Sequence, residues 1–391
     1  MHKNQKENTL CTHAGTLEDA EFKSSVSPLY MATSYAFEDV DVKRYPRYFN
    51  SPNQEGLAAK MAVLEHAEKA MILASGMAAI STALMAFLKA GDHVVFQQTL
   101  YGGTYNFAKT QLEKYGIEYS FTDGWSVADF EKEIQSNTKI LYLETPSNPL
   151  LTITDLKGVS ELAKGHGIMT MIDNTFASPI NQKPIDFGID MVLHSATKYM
   201  GGHSDISAGV IVGSEEHMRQ VWETAICYGA NLSEYTVWLL ERSMKTLGIR
   251  VKAQNDNAMK MAEYLEQHEG VRKVHYPGLK KHPEHELAKR QMSGFGGMLS
   301  FELNVDIDVS LFFKHLRLVK PSMSLAGVES TVLSPVKTSH SLMTPEDRQK
   351  QGITDNLVRF SLGIEDFEDL QEDINQAIAA SKLQRTAIPT A

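Results

Sequence analysis

The chain has 391 residues, of which 42% are hydrophobic, so it is long enough to bury a large core and too apolar to be a disordered chain. Its 38 Lys and Arg residues stand against 48 Asp and Glu residues, and the net charge of -10 excludes the basic surface expected of a protein that binds nucleic acid or anionic lipid. No window approaches the roughly 18 apolar residues of a membrane span, the N-terminus lacks a secretory signal, and two cysteines suit a reducing compartment, so we expect a cytoplasmic protein.

The first 56 residues mix Pro, Ser, Tyr and Asn and keep neither the period of a helix nor that of a strand. This composition is typical of an extended segment. Residues 1–56 are therefore predicted to form an N-terminal arm that wraps a neighbouring surface.

Residues 57–250 alternate amphipathic segments with short apolar runs, which is typical of βα units around a mostly parallel sheet. Leu57, Met61 and Leu64 fall on one face of a predicted helix. The predicted buried strands are residues 70–73, 93–96, 140–143, 168–172 and 191–193. This region is predicted to be the large domain of an α/β protein, whose ligands bind where the strands end.

The pattern changes near residue 250, where we place a domain boundary, so that residues 251–391 form a smaller C-terminal domain. A long helical stretch, about 233–268, leads across this boundary. Residues 298–301 and 357–362 are predicted strands, and Phe367, Leu370, Ile374 and Ile378 form the apolar stripe of a last helix. A loose tail is expected after residue 384.

Lys198 follows the apolar run 191–193 and precedes a pair of glycines, so a strand end carries it to a cleft. Burial lowers the pKa of a lysine amine, and a neutral amine attacks an aldehyde to form a Schiff base. Ser195 and Thr197 are close enough in sequence to donate hydrogen bonds to a phosphate. This short motif by itself is also typical of a polar surface turn, so its meaning depends on the other strand ends.

Those strand ends carry partners suited to a pyridine ring and a phosphate. Asp173 follows the run 168–172 and offers a carboxylate to a protonated ring nitrogen. Gly76 opens a predicted helix whose first N–H groups can hold a phosphate. Tyr101 follows the run 93–96 and offers a ring for stacking, and Asn148 follows the run 140–143. Each of these residues alone is also typical of a helix cap, a turn or ordinary packing.

Together these residues resemble the Cys/Met-metabolism (trans-sulfuration) family of pyridoxal 5'-phosphate (PLP) enzymes. The resemblance runs from about residue 10 to residue 383, and its most specific stretches are 173–175 and 194–205. It implies the aspartate-aminotransferase-like fold (fold type I), a mostly parallel seven-stranded sheet followed by a smaller C-terminal α/β domain. It also implies a homo-oligomer, a tetramer built from dimers.

The resemblance implies a role for each matching residue. Lys198 carries PLP, and it acts in catalysis together with Tyr101, whose ring also stacks on the cofactor. The remaining cofactor residues are Asp173 at the pyridinium, Asn148 near the cofactor hydroxyl, Gly76, Met77, Ser195 and Thr197 at the phosphate, and Tyr45 and Arg47 reaching the phosphate of a neighbouring subunit. Arg359 grips the substrate carboxylate with help from Ser324.

The predicted activity is a PLP-dependent γ-elimination of methionine-type or homocysteine-type substrates, which gives 2-oxobutanoate, ammonia and a thiol. Met323 stands where cystathionine-handling members often carry Glu, and its apolar side chain suits a thioether end better than a second ammonium. Gly103 stands where bacterial methionine γ-lyases carry Cys, and residues 48–54 depart from the usual loop. The alternatives are γ-replacement on an O-acylhomoserine, cystathionine β- or γ-elimination, transamination, and a non-catalytic PLP-binding regulator.

No metal site is predicted. His282, Glu284 and His285 lie close together in the sequence, but they lie in a Pro-containing charged stretch and lack the helical two-histidine spacing of zinc hydrolases.

Overall fold

The computed structural model describes residues 5–338, 341 and 344–383, so the predicted loose tail lies outside the described residues. The strands are β1 (Lys69–Leu73), β2 (His93–Phe96), β3 (Glu118–Phe121), β4 (Thr138–Glu144), β5 (Met169–Asp173), β6 (Met191–Ser195), β7 (Gly209–Gly213), β8 (Val271–His275), β9 (Met298–Leu303), β10 (Lys320–Pro321), β11 (Thr331–Leu333) and β12 (Leu357–Ser361).

The α-helices are α1 (Glu7–His13), α2 (Pro52–Leu64), α3 (Gly76–Phe87), α4 (Gly102–Thr110), α5 (Val127–Glu133), α6 (Leu156–His166), α7 (Ser178–Asn181), α8 (Glu215–Tyr228), α9 (Glu234–Met244), α10 (Leu247–Gln267), α11 (His285–Gln291), α12 (Val309–His315), α13 (Pro345–Lys350) and α14 (Phe367–Ala380). Short 3₁₀ turns lie at Pro46–Tyr48, Leu112–Tyr115, Pro184–Phe187 and Pro335–Lys337. In the described part of the chain, no helix combines the length and the apolar composition that crossing a bilayer requires.

The larger sheet has seven strands in the order β1-β7-β6-β5-β4-β2-β3. Its pairs are parallel except for the two that β7 makes with β1 and β6. Alternate residues of a strand point to opposite faces, so Leu141 and Leu143 pack into one apolar cluster and Ile140 and Tyr142 into another. The predicted α/β fold with a mostly parallel seven-stranded sheet is confirmed.

The smaller sheet has five strands in the order β10-β11-β12-β9-β8, and its central pairs are antiparallel. Phe301 on β9 and Phe360 on β12 are fully buried in a cluster that includes Ile374 of α14. The predicted stripe of the last helix therefore covers one face of this sheet.

The helical stretch predicted near the domain boundary is two helices rather than one. Helix α9 ends before Lys245 and α10 begins at Leu247. Arg250 on α10 contacts the end of α9, since its guanidinium donates to the Ser243 carbonyl at 3.0 Å and to the Thr246 hydroxyl at 3.1 Å. These bonds join the end of α9 to the first turn of α10.

The N-terminal segment is not extended throughout. Helix α1 packs against α2 and α10, and Cys11 within it is fully buried. The Lys60 amine on α2 donates to the Cys11 carbonyl at 2.7 Å, which fixes this helix to the large sheet's layer of helices. Farther along the same segment, Phe22, Met31 and Phe37 are exposed in the single chain.

Candidate active site

A cavity of about 530 Å³ lies where strands β4, β5 and β6 end and the smaller sheet approaches. All the predicted site residues except Tyr45 and Arg47 line this cavity. The lining residues are Gly76, Met77, Tyr101, Asn148, Asp173, Ser195, Thr197, Lys198, Ser324 and Arg359. A larger cavity of about 720 Å³ lies beside α8, but none of these residues lines it. The predicted site residues that line the cavity therefore gather at the strand ends, as expected for an open α/β sheet.

Lys198 lies three residues beyond the end of β6, and its amine donates to the Ser324 hydroxyl at 2.8 Å. Burial, with a further contribution from the Arg359 cation, lowers the pKa of this amine to about 8, and the Asp173 carboxylate opposes the shift. An amine with this pKa is partly neutral near pH 7. The site thus holds a lysine that can act as a nucleophile and as a proton carrier.

Asp173 ends β5, the strand next to β6, and its carboxylate accepts the Thr175 backbone N–H at 3.0 Å. Burial raises the pKa of this carboxyl, while the hydrogen bonds from Thr175 and the charges of His194 and Lys198 lower it. A buried carboxylate lining the cavity is the partner that a protonated ring nitrogen requires. A carboxylate acceptor at this position fits the ring nitrogen of PLP.

Gly76 begins α3, and the Ser75 hydroxyl caps this helix by accepting the Ala78 N–H at 3.0 Å. A Cβ atom at Gly76 would lie 2.7 Å from the Cβ of Ser195, so only glycine lets the helix approach β6 this closely. The first N–H groups of the helix, which have no intrahelical acceptor, therefore lie beside Ser195 and Thr197. The arrangement is suited to a phosphate dianion.

Tyr101 precedes α4 and is 43% exposed on the single chain. A Cβ atom at Gly103 would collide with the Tyr101 ring and would also crowd the Met77 sulfur. Gly103 therefore gives the ring the space to lie back over the first turn of its helix.

Arg359 comes from β12 of the smaller sheet and closes the cavity from the other side. It is 4% exposed, and it donates to the Asn148 side-chain oxygen at 3.0 Å and to the Ser324 carbonyl at 3.1 Å. Burial lowers its pKa to about 10, and the Glu144 carboxylate opposes this effect. Ser324 has φ +85°, a conformation that is costly for a residue with a side chain and that recurs at binding sites.

Glu144 also lines the cavity, and the sequence analysis did not identify it as a site residue. Its carboxylate accepts the Tyr101 backbone N–H at 2.7 Å and the Asn148 backbone N–H at 3.1 Å. Burial and the nearby Asp173 carboxylate raise its pKa well above the usual range. The available signal was its place directly after the apolar run 140–143, the same kind of position that pointed to Asp173.

Tyr45 and Arg47 lie away from the cavity of their own chain. The Arg47 guanidinium donates to the Ile226 carbonyl at 2.5 Å and lies over the rings of Tyr45 and Tyr48, at 5.6 and 5.2 Å from their centroids. The expectation that this pair serves a neighbouring subunit stays a prediction. Within the described ranges, no three His, Cys, Asp or Glu side chains converge in a way that would hold a metal ion.

The model of a family described as Cys/Met metabolism PLP-dependent enzyme matches residues 8–379. The chain belongs to this family. A relative from Bacillus subtilis (strain 168) described as cystathionine gamma-lyase is 43% identical over 95% of this chain and 99% of its own length. A Porphyromonas gingivalis relative described as L-methionine gamma-lyase is 37% identical, covering 95% and 96%. The crystal structure of cystathionine gamma-lyase from Lactobacillus plantarum complexed with L-serine has a TM-score of 0.93 and 37% identity, covering 96% of this chain and 99% of that chain.

Membership confirms the resemblance found in the sequence, the predicted fold family and the predicted PLP cofactor. The chain is a PLP-dependent enzyme of sulfur amino acid metabolism with a small-molecule amino acid as substrate.

Proposed function

We propose that this enzyme is a C–S lyase that performs γ-elimination on an L-amino acid of the methionine or homocysteine type. The products would be 2-oxobutanoate, ammonia and a thiol. The observation that carries the proposal is the buried Lys198 amine, with its pKa lowered to about 8, in one cavity with Asp173 and Arg359.

Each part of the cofactor has matching residues in the cavity. Gly76, Met77, Ser195 and Thr197 would hold the phosphate, Asp173 would hold the proton of the ring nitrogen, and the Tyr101 ring would cover one ring face. When bound, PLP supplies an electron sink that stabilises negative charge at the substrate α-carbon.

The substrate's carboxylate would bind the Arg359 guanidinium. A guanidinium forms paired hydrogen bonds to a carboxylate, and burial strengthens them because water does not compete. The Asn148 side-chain oxygen accepts one N–H of this guanidinium at 3.0 Å, so the guanidinium is already oriented before the substrate binds. The α-carbon of a substrate held in this way would face the Lys198 amine.

Lys198 would carry the protons of the reaction. Its neutral amine would take a proton from Cα, pass it on, and then take one from Cβ, so that the electrons of the Cβ–H bond expel the γ-sulfur. Water would then release the product as 2-oxobutanoate and ammonia. The Ser324 hydroxyl, 2.8 Å from Nζ, orients the amine between these positions. The Tyr101 hydroxyl would give a proton to the departing sulfur.

Met323 at the cavity rim supports a substrate with an apolar distal end. Its side chain is 70% exposed and offers no charge to pair with a second ammonium group. Cystathionine is the second candidate substrate, because relatives that cover nearly the whole chain are described as cystathionine lyases.

A substrate panel tests this proposal. Purified enzyme with PLP is given methionine, homocysteine, cystathionine, or O-acetylhomoserine with sulfide, and keto acid, thiol and new amino acids are quantified. We expect 2-oxobutanoate and thiol from homocysteine or methionine with a higher kcat/KM than from cystathionine. The variant Met323→Glu, which adds a carboxylate at the rim, should shift the ratio toward cystathionine.

Two outcomes contradict the proposal. Homocysteine formed from O-acetylhomoserine and sulfide, without keto acid from any substrate, would make the enzyme a γ-replacement transferase. Pyruvate in place of 2-oxobutanoate from cystathionine would make it a β-lyase.

We also propose a cytoplasmic homotetramer built from dimers in which Tyr45 and Arg47 reach the neighbouring subunit's phosphate site. The exposed side chains of Phe22, Met31 and Phe37 support this, because a subunit contact would remove their apolar surface from water. Light scattering coupled to size exclusion measures the subunit number, and a monomer that retains full activity would contradict the shared site.

A further inference from the structure

Glu144 lies at the centre of the cavity's hydrogen bonds, although neither motif nor composition points to it. It ends β4 and is the register partner of Asp173 on β5, so two buried carboxyl groups stand side by side at the strand ends. The two oxygens of Glu144 have separate tasks. One accepts the Tyr101 N–H at 2.7 Å and the other accepts the Asn148 N–H at 3.1 Å.

The backbone of Glu144 is itself held on both sides by one side chain. The Gln97 amide donates to the Glu144 carbonyl at 2.9 Å, and the Gln97 oxygen accepts the Glu144 N–H at 3.4 Å. Thr154 donates to the same Gln97 oxygen at 2.9 Å, and both Gln97 and Thr154 are fully buried. The carboxylate therefore projects into the cavity from a fixed base.

The two accepted hydrogen bonds reach groups with different tasks. The Tyr101 N–H precedes α4, so holding it sets where the helix starts and where the Tyr101 ring lies. Asn148 is held through its backbone, and its side-chain oxygen accepts from Arg359 at 3.0 Å. One carboxylate is thus joined to the ring beside the cofactor and, through Asn148, to the cation at the substrate end.

We propose that Glu144 is a positioning residue that sets the Tyr101 ring over the cofactor and the Arg359 guanidinium on the substrate carboxylate. The inference rests on the proposed function for the roles of Tyr101 and Arg359. A carboxylate is suited to this task because it accepts two N–H groups at once, whereas an amide offers one acceptor and one donor.

The variant Glu144→Gln tests this with little change in shape. Its amide satisfies one N–H and turns an NH₂ group toward the other, so the ring, Arg359 or both lose their support. Loss of one buried hydrogen bond, with its N–H left unpaired, corresponds to about a tenfold effect. We expect the Kd of PLP for the apoenzyme to rise about tenfold, KM to rise by a similar factor, and the visible circular dichroism per bound PLP to change.

Glu302→Gln is the matched control. Glu302 is also a buried strand carboxylate, and it pairs with Arg272 and His275 in the smaller sheet, away from the cavity. This variant should leave the PLP Kd, the dichroism and KM within about twofold of the wild type. Thermal unfolding of both variants separates a loss of stability from a loss of positioning.

Wild-type values of Kd, KM and dichroism in folded Glu144→Gln would overturn the proposal, and so would equal changes in both variants. If Glu144→Gln does not fold, Glu144→Asp carries the same test, because it keeps the charge but is one methylene too short to reach both N–H groups. Wild-type values in Glu144→Asp would then overturn the proposal. The PLP Kd and dichroism need no turnover, so a wild-type enzyme without lyase activity would refute the proposed function and leave this test intact.

Discussion

Replacing Arg359 should raise the pKa of the Lys198 amine, because the guanidinium is one of the two causes that lower that pKa to about 8. The two side chains share Ser324, whose hydroxyl accepts from Lys198 at 2.8 Å and whose carbonyl accepts from Arg359 at 3.1 Å. Arg359→Gln removes the cation and keeps a polar side chain beside Asn148. Arg359→Lys keeps the charge and serves as the control.

The size of the effect follows from the separation of the charges. Both cations contact Ser324, and at an effective dielectric of about 20 the repulsion of two unit charges this near is on the order of 1–2 kcal/mol, or about one pKa unit. Water entering the cavity screens part of this, so we expect an upward shift of about one unit in Arg359→Gln. Burial is the larger cause and remains, so the pKa should stay below the ordinary lysine value of 10.5.

The assay measures how fast the apoenzyme attaches PLP covalently between pH 6 and pH 10. Borohydride traps the product, and mass spectrometry of peptides assigns it to Lys198. A free lysine derivative treated in parallel corrects for the titration of PLP itself. Because only the neutral amine reacts, the corrected rate should fall about tenfold per pH unit below a midpoint near 8.

The midpoint should move upward in Arg359→Gln and stay in place in Arg359→Lys. A wild-type midpoint near that of the free lysine derivative would refute the lowered pKa. An unchanged midpoint in Arg359→Gln would refute the part assigned to the guanidinium.

Three further predictions concern other positions. Gly76→Ala should raise the Kd of PLP at least tenfold, because the new methyl meets Ser195 and pushes the helix N-terminus from the phosphate site. Equilibrium titration of the apoenzyme measures this Kd, and wild-type affinity would contradict the prediction. Asp173→Asn should lower kcat by at least 100-fold while the protein stays folded, because a neutral amide does not stabilise the protonated ring nitrogen by charge. Steady-state kinetics measures kcat, and thermal unfolding shows whether the variant is folded. Lys60→Met should remove a pH dependence of the stability, because burial lowers the pKa of this fully buried amine to about 8. The wild type should gain stability as pH rises from 8 toward 10.5, and the variant should not. Urea unfolding at pH 7 and pH 9.5 measures this, and an equal response of the two proteins would refute it.

The buried strands of the large sheet were readable from the sequence because a strand covered on both faces is a continuous apolar run. Residues 93–96 are β2 as predicted, and the runs 140–143 and 191–193 lie within β4 and β6. Strand β7 (Gly209–Gly213) escaped prediction, since glycine at both ends indicates turns. Its first glycine is required by packing, because a Cβ atom there would collide with the Ser75 carbonyl.

The family and the cofactor could be predicted from the sequence. Both predictions depend on which side chains stand at the ends of neighbouring strands. Ser195, Thr197 and Lys198 lie at the end of one strand and Asp173 at the end of the next, and this order can be read from the sequence without knowing how the strands pack. The match of the family model to residues 8–379 confirms both.

The contacts between these groups depend on the tertiary structure and could not be predicted from the sequence. Lys198 and Ser324 are 126 residues apart along the chain, and Asn148 and Arg359 are 211 apart, yet each pair is joined by a hydrogen bond between the two sheets. The use of Glu144 as the acceptor for two backbone N–H groups depends on the same packing. Local sequence does not encode these contacts, because they form only when separate elements bury their apolar faces together and exclude water from the polar groups between them.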